Sequence, residues 1–393
     1  LEQLRRQVTD SLTTSTSMAS LDDWDLLVAA HGRATRYQPA RLLLDDLTTD
    51  FTDLSEAFAR PHPASVTRRL TRTIAQMAGL ISLTLLKLGA RHAARSWGRT
   101  ARLAADEAGD PALSSWVRAQ DAYTIFYTFD VRQAALVAQQ AQAAAGRTVC
   151  VGAVLAAALE ARAHAILGHP TDADTAITRA ETILSALTPD DTTDSAFGYN
   201  EAQLRFHHGN ALTHLHDSRR AGEAQRRALE LYPTDDYLDR ALVHLEQAAC
   251  LLHDGEIAAG ASHAAQVLLD LPAQQRDGII VSRAREIAQA VTPRDGWLPA
   301  IHRDPSPAQE LVVVRKSAEP GEVALADSEE KSIGEFGVQV VDGGVLDSPC
   351  LGRSAVPEDI TVPPRIPRST RRFRTRRGPA RRPGCHARRA HGR

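Results

Sequence analysis

The amino-acid sequence predicts an all-α protein built from repeated helix pairs, and three observations predict it. Alanine abounds while aromatic residues make up only 5% of the 393 residues, a balance that suits helices packed with close backbones. No window alternates apolar and polar residues with the period of two that a half-buried strand requires. Small residues also recur in pairs seven apart, two turns along one helical face. The pairs are Ala94/Ala101, Ala134/Ala141, Ala173/Ala180, Ala221/Ala228 and Ala258/Ala265, with first members 40, 39, 48 and 37 residues apart.

The clearest unit is Ser195–Pro233, two helices joined by a corner at His216–Asp217, with Gly209 late in the first helix and Pro233 closing the second. A hairpin of this kind cannot bury its apolar face alone and needs copies on either side. The long interval holds Thr188–Ser195, read as a polar loop insertion between copies. Asp130, Asp217 and Asp254 each stand four residues before the first alanine of a pair and are expected to cap helix N-termini.

In order, Leu1–Ser15 reads as a charged amphipathic helix, followed by helices over Asp22–Tyr37 and Pro39–Arg60, the latter with proline in its first turn. Pro61-His62-Pro63 then breaks the chain. Ala64–Leu88 contains the apolar run Ile74–Leu88, which is 15 residues long and carries Gln76 and Lys87. That run is too short to span a bilayer and is expected to be a buried core helix. Further helices are expected over Ala90–Ala108, Pro111–Phe129, Val131–Ala145, Cys150–Leu167, Thr171–Leu187, Phe197–His216, Ser218–Leu231, Asp236–His253, Glu256–Leu271 and Gly278–Val291. Gly89, Gly109-Asp110-Pro111, Gly146, Gly168-His169-Pro170, Pro233, Gly255 and Pro272 punctuate them.

These elements divide the chain into an N-terminal helical cap (1–60), a repeat body (61–295) and a disordered tail (296–393), Arg-rich from 365. Residues 1–304 carry 30 basic and 37 acidic side chains, and residues 305–393 carry 16 and 11. The overall charge of −2 thus hides an acidic body and a basic tail. The tail's arginines could hold nucleic acid through phosphates alone, since Phe373 is the one aromatic among them. Arginine outnumbers lysine 43 to 3, a bias expected of a high-GC bacterial genome.

Cys150, Cys250, Cys350 and Cys385 lie far apart with no CxxC, which predicts free thiols, buried at Cys150 and Cys250, and a reducing cytoplasm. His207, His208, His214 and His216 cluster without HExxH, so they are read as ordinary helix histidines, with no metal and no cofactor. P-loop, GxGxxG and GxSxG motifs are missing from the sequence, and the chain is read as not an enzyme.

In Ser195–Pro233, Gly209, Ala221, Ala228-Leu229 and Pro233 fall where the tetratricopeptide repeat places its Gly/Ala, Ala, Ala-Leu and Pro. The chain resembles that family in degenerate form over residues 64–290. The resemblance implies a right-handed superhelical stack of antiparallel helix pairs, an α-solenoid, whose concave face receives a peptide or protein segment. In that register Trp116, Tyr123, Phe126, Tyr127, Arg162, Gln203, Asn210, Thr213 and His214 face the groove. Longer stretches, Ala19–Arg36, Arg68–Gly89, Arg99–Tyr123, Cys150–Gly168 and Ser195–Asp217, resemble the regulatory part of actinobacterial helix-turn-helix (XRE-type) transcriptional regulators. This implies a non-enzymatic sensor or dimerisation module, with DNA reached through an attached domain. No such domain is visible before Leu1, and a start at Leu rather than Met is read as a truncation. The alternative reading is a stand-alone protein–protein scaffold.

Overall fold

Glycine and proline decide where these helices stop and start, and the boundaries follow that punctuation closely. A computed structural model describes residues 18–128, 130–290, 297–301 and 311–315. Among them, thirteen α-helices run in order: α1 Met18–Tyr37, α2 Ala40–Phe58, α3 Ala64–Lys87, α4 Arg91–Ala108, α5 Pro111–Phe126, α6 Val131–Ala145 and α7 Val151–Ile166. They continue as α8 Pro170–Leu184, α9 Glu201–His214, α10 Ser218–Leu231, α11 Tyr237–His253, α12 Ile257–Asp270 and α13 Gly278–Ala290. No helix among the described residues is long and apolar enough to cross a membrane. The helix expected over Leu1–Ser15 lies outside the described residues.

Consecutive helices pack in pairs, α3 on α4, α5 on α6, α7 on α8, α9 on α10 and α11 on α12. The first helices of these pairs also pack on one another in sequence, α3 to α5, α7, α9, α11 and on to α13. The row then closes: α13 returns to α3, and α11 reaches α1. Helices α1 and α2 pack on α3, so the 1–60 segment joins the body without a break as far as it is described.

The corners repeat a three-residue device. Leu88-Gly89-Ala90, Leu167-Gly168-His169, Leu215-His216-Asp217 and Asp254-Gly255-Glu256 each run from the end of one helix to the start of the next. The middle residue has positive φ in all four: 77° at Gly89, 75° at Gly168, 59° at His216 and 86° at Gly255. Glycine adopts that conformation without a Cβ penalty, whereas His216 is held in it against its preference.

The alanine register holds in four pairs and shifts in the fifth. Ala94, Ala101, Ala134, Ala141, Ala173, Ala180, Ala221 and Ala228 are all buried, where helices α4, α6, α8 and α10 press on their neighbours. Ala258 is exposed and Ala265 half-buried. The corresponding site, counted from the start of α12, is Gly260 with Val267. A Cβ on Gly260 would stand 2.8 Å from the Ala248 carbonyl oxygen of α11. Counting alanines missed this because the closest approach needs something smaller than alanine.

The capping aspartates divide the same way. Asp130 accepts from Gln133 N at 3.2 Å and Asp217 from Arg220 N at 3.1 Å, as N-caps do. Asp254 instead follows the end of α11, and its own N–H donates back to Cys250 and Leu252 carbonyls. Gly255 and Glu256 intervene before α12 begins. Cys150 and Cys250 are free and buried.

Part of the segment expected to be disordered from 296 is paired. β1 Trp297–Ile301 runs antiparallel to β2 Leu311–Arg315, with Trp297 opposite Arg315 and Ile301 opposite Leu311. The remainder of the tail, including its arginine run, lies outside the described residues.

Two substitutions test the packing and the corners. A Cβ on Gly152 would lie 2.2 Å from Trp116 N and 2.4 Å from Ser115 C. Gly152→Ala is therefore expected to destabilise by ~1–3 kcal/mol as α7 is pushed off α5. His216→Gly relieves the one positive φ at a non-glycine among the described residues and is expected to stabilise by ~0.5–1 kcal/mol. Denaturant midpoints of the two variants against the parent check both signs.

Candidate functional site

The inserted segment between α8 and α9 is the first surprise in the interior. Pro189–Thr192 forms a 3-10 turn capped reciprocally by Thr188 and Asp191. The chain then turns inward rather than out into solvent. Ala196 N donates to the Gly32 carbonyl at 2.9 Å, and Trp116 Nε1 donates to the Ala196 carbonyl at 2.7 Å. The Phe197 ring lies 4.8 Å from that of Trp116, and Tyr199 is fully buried. Helix α9 starts at Glu201, four residues later than expected, because Asn200 and Gln203 cap it reciprocally.

Behind this plug, the first helices of the pairs converge on a cavity of about 90 Å³, room for several waters or one compact molecule. Its walls include Thr35 and Arg36 of α1, Leu83 and Lys87 of α3, Gln120 and Tyr123 of α5, and Leu155 of α7. Gln203, Phe206 and His207 of α9, Tyr232 after α10, Asp236 and Asp239 at the start of α11, and Ile279 of α13 complete them.

The charges on this wall are mutually constrained. Arg36 is ion-paired with Asp239 and lies 3.4 Å from Asp236 Oδ2. Burial opposes its charge, but Asp239, Tyr232 and Asp236 more than restore it, so the guanidinium is held more firmly protonated than usual. Lys87 donates to the Thr35 carbonyl, and its pKa is lowered, chiefly by burial. Asp236 is pushed up to about 7 by burial and by the like charge of Asp239. Asp277 accepts from Tyr237 Oη at 2.9 Å and is pushed up to about 6 by burial. His207 is held neutral, well below its ordinary range, by burial and by Arg162 and Arg36. Its Nδ1 and the Tyr232 hydroxyl are buried without a hydrogen-bond partner among the described residues.

Of the nine residues expected in a peptide groove, Tyr123 and Gln203 line this cavity. Trp116, Phe126, Arg162, Asn210 and Thr213 are buried in the helix stack rather than presented on an open face. Trp116 occupies the space a Cβ on Gly79 would need, 2.5 Å away. Arg162 lies over the Phe126 ring at 4.5 Å and the Phe206 ring at 5.3 Å, and donates to Tyr127 Oη at 3.1 Å. Its Nε donates to Asn210 Oδ1 at 2.7 Å, and Asn210 Nδ2 donates to Glu246 Oε1 at 2.7 Å. Arg283 completes the chain with two 2.9 Å hydrogen bonds to Glu246. Thr213 Oγ1 donates to the Gly209 carbonyl and accepts from Gln225 Nε2. His214 is half-buried, and desolvation lowers it to about 4.

The repeat register thus found the inward-facing residues of the first helices, but most of their polar groups are paired within the stack, Arg162 Nη1 excepted. Arg36, Lys87, Asp236, Asp239, His207 and Tyr232 were missed. Lys87 alone left a sequence signal, a single cation in an otherwise apolar run; the others look like ordinary helix-end residues. No protein-family model, curated protein or solved structure matches this chain.

Two measurements follow from this geometry. Asn210→Ala leaves buried Arg162 Nε without its acceptor and removes one of the two donors to Glu246 Oε1, and is expected to cost ~1–3 kcal/mol; a groove-facing amide would cost close to nothing in a denaturant titration. Asp236 carries an ordinary 3.8 when unfolded and about 7 when folded, so the native state holds an extra proton between those values. Its contribution is fully present below about pH 4 and is lost as pH rises through about 7. Arg36 from α1, Lys87 from α3 and Asp239 beside it are the charges facing it. The stability of the parent relative to Asp236→Asn is therefore expected to fall by roughly 1–3 kcal/mol from pH 5 to pH 8.

Proposed function

We propose that this chain is a non-enzymatic regulatory binding module, and that the central cavity is its input. The observation that carries this reading is the position of the cavity. It sits where α1 and α3 meet α11 and α13, the junction that closes the row of helices, with the polar side chains of Arg36, Gln120, Gln203 and Asp239 at its wall. A small polar molecule that satisfied those groups would bind the closed arrangement better than an open one and shift the population towards it.

In this reading the helix pairs form a tetratricopeptide-like right-handed solenoid. The buried small residues at matching positions of α4, α6, α8, α10 and α12 support it. So do the four corners with the same positive-φ residue. A non-enzymatic role fits the surroundings of the titratable groups. His207 is held neutral among Tyr123, Tyr199 and Phe206 rings, and its Nδ1 has no hydrogen-bond partner among the described residues. Asp236 and Asp239 are committed to Arg36. The output would pass to an attached helix-turn-helix domain, as in the regulators the sequence resembles.

Thermal melts of the purified chain with millimolar amino acids, nucleosides and sugar phosphates test this. A ligand at a hundred times its Kd adds ~2.7 kcal/mol to stability. At least one compound is expected to raise Tm by several degrees in the parent and by none in Leu83→Trp, whose indole fills the cavity wall. Shifts equal in both proteins, or none in either, would turn the assignment towards a protein scaffold.

A further inference from the structure

The corner between α7 and α8 holds a second cluster, remote from the cavity wall. His164 stands in the last turn of α7 and His169 at the N-cap of α8, with Asp172 in the first turn that follows. Gly168, at φ 75°, reverses the chain between them. His164 Nδ1 lies 4.0 Å from Asp172 Oδ2, and His169 Nδ1 lies 3.8 Å from the same atom. One donor atom from each of the three side chains falls within 4.8 Å of the others. These separations are too long for hydrogen bonds. His169 makes no side-chain cap on α8, and His164 Nδ1 is buried with no partner among the described residues.

The far side of His164 is prepared for the same purpose. Its Nε2 faces Glu160 Oε1 at 3.6 Å, one turn back on α7. Glu160 is itself buried and held in place. It accepts from Gln139 at 2.9 Å, from Gln142 at 2.7 Å and from Arg179 at 2.7 Å. A carboxylate behind one imidazole nitrogen supports a metal-bound histidine through the other, once a shift of a few tenths of an ångström brings the pair within hydrogen-bond reach.

We propose that His164, His169 and Asp172 bind a divalent first-row transition metal, zinc above all, through two imidazole nitrogens and one carboxylate oxygen. Two imidazoles favour zinc, nickel or copper over calcium or magnesium. Zinc–ligand bonds of about 2.0–2.2 Å require the three donors to draw closer by roughly 1 Å than they stand now. His169 and Asp172 are more than half exposed and free to rotate inwards, while His164 is the fixed member. The three protein ligands leave a fourth position for water.

Isothermal titration of the chelator-treated full chain with zinc chloride tests the site. One zinc per chain is expected, with affinity falling at least ~10-fold in His169→Ala and in Asp172→Asn. Both positions are exposed, and unchanged circular-dichroism melts of the metal-free variants establish that the fold is retained. Zinc binding equal in parent and variants would place the metal elsewhere, at His216 and His253 or in the Cys385–His386 region, and would overturn the assignment. Absence of zinc binding by the parent would overturn it as well.

Discussion

The arrangement depends on a buried guanidinium that cannot shed its charge. Arg36 is buried at the end of α1, and its counter-charges lie about two hundred residues away at the start of α11. An isolated cation in such a place would cost several kcal/mol, so α1 and α11 must meet. Asp236 serves both demands at once: Oδ2 faces Arg36 while Oδ1 accepts from Asp239 N and caps α11.

A second polar thread ties the middle of the row. Tyr127, Arg162, Asn210, Glu246 and Arg283 come from successive first helices or their ends, and each hydrogen-bonds the next. Apolar packing between alanine-rich helices is tolerant of sliding; a hydrogen-bonded chain with defined partners is not. The thread therefore sets the stagger of α7, α9, α11 and α13, and the alanines set their distance from the second helices. Stability of the stack and precision of the cavity come from different residues.

How much of this was legible in the sequence follows from what each signal measures. Glycine and proline report local backbone conformation, so most helix boundaries could be placed within a few residues. Burial was legible where alanine marks close contact, and it failed at α12, where Gly260 takes that role. Asp254 carried the right spacing but stands one residue before the positive-φ corner instead of one after it. The inward fold of residues 193–200 was illegible, since a polar composition gives no hint that Tyr199 and Phe197 anchor it inside. The site was half legible: helical register shows which way Asn210 and Arg162 point, but not that their partners are each other. Ion pairs such as Arg36 with Asp239 leave no trace in one sequence.

Lys87 has a practical corollary. It is the one lysine among the described residues, and its amine is buried beside Thr35 at the cavity wall. Amine-directed reagents therefore find no side chain to modify on the helical body while α1, α3 and α11 remain together. Parting that junction exposes a single lysine amine in the middle of the helical body. Acylation of Lys87, followed by peptide mass, thus acts as a built-in clock for the opening of the closed row.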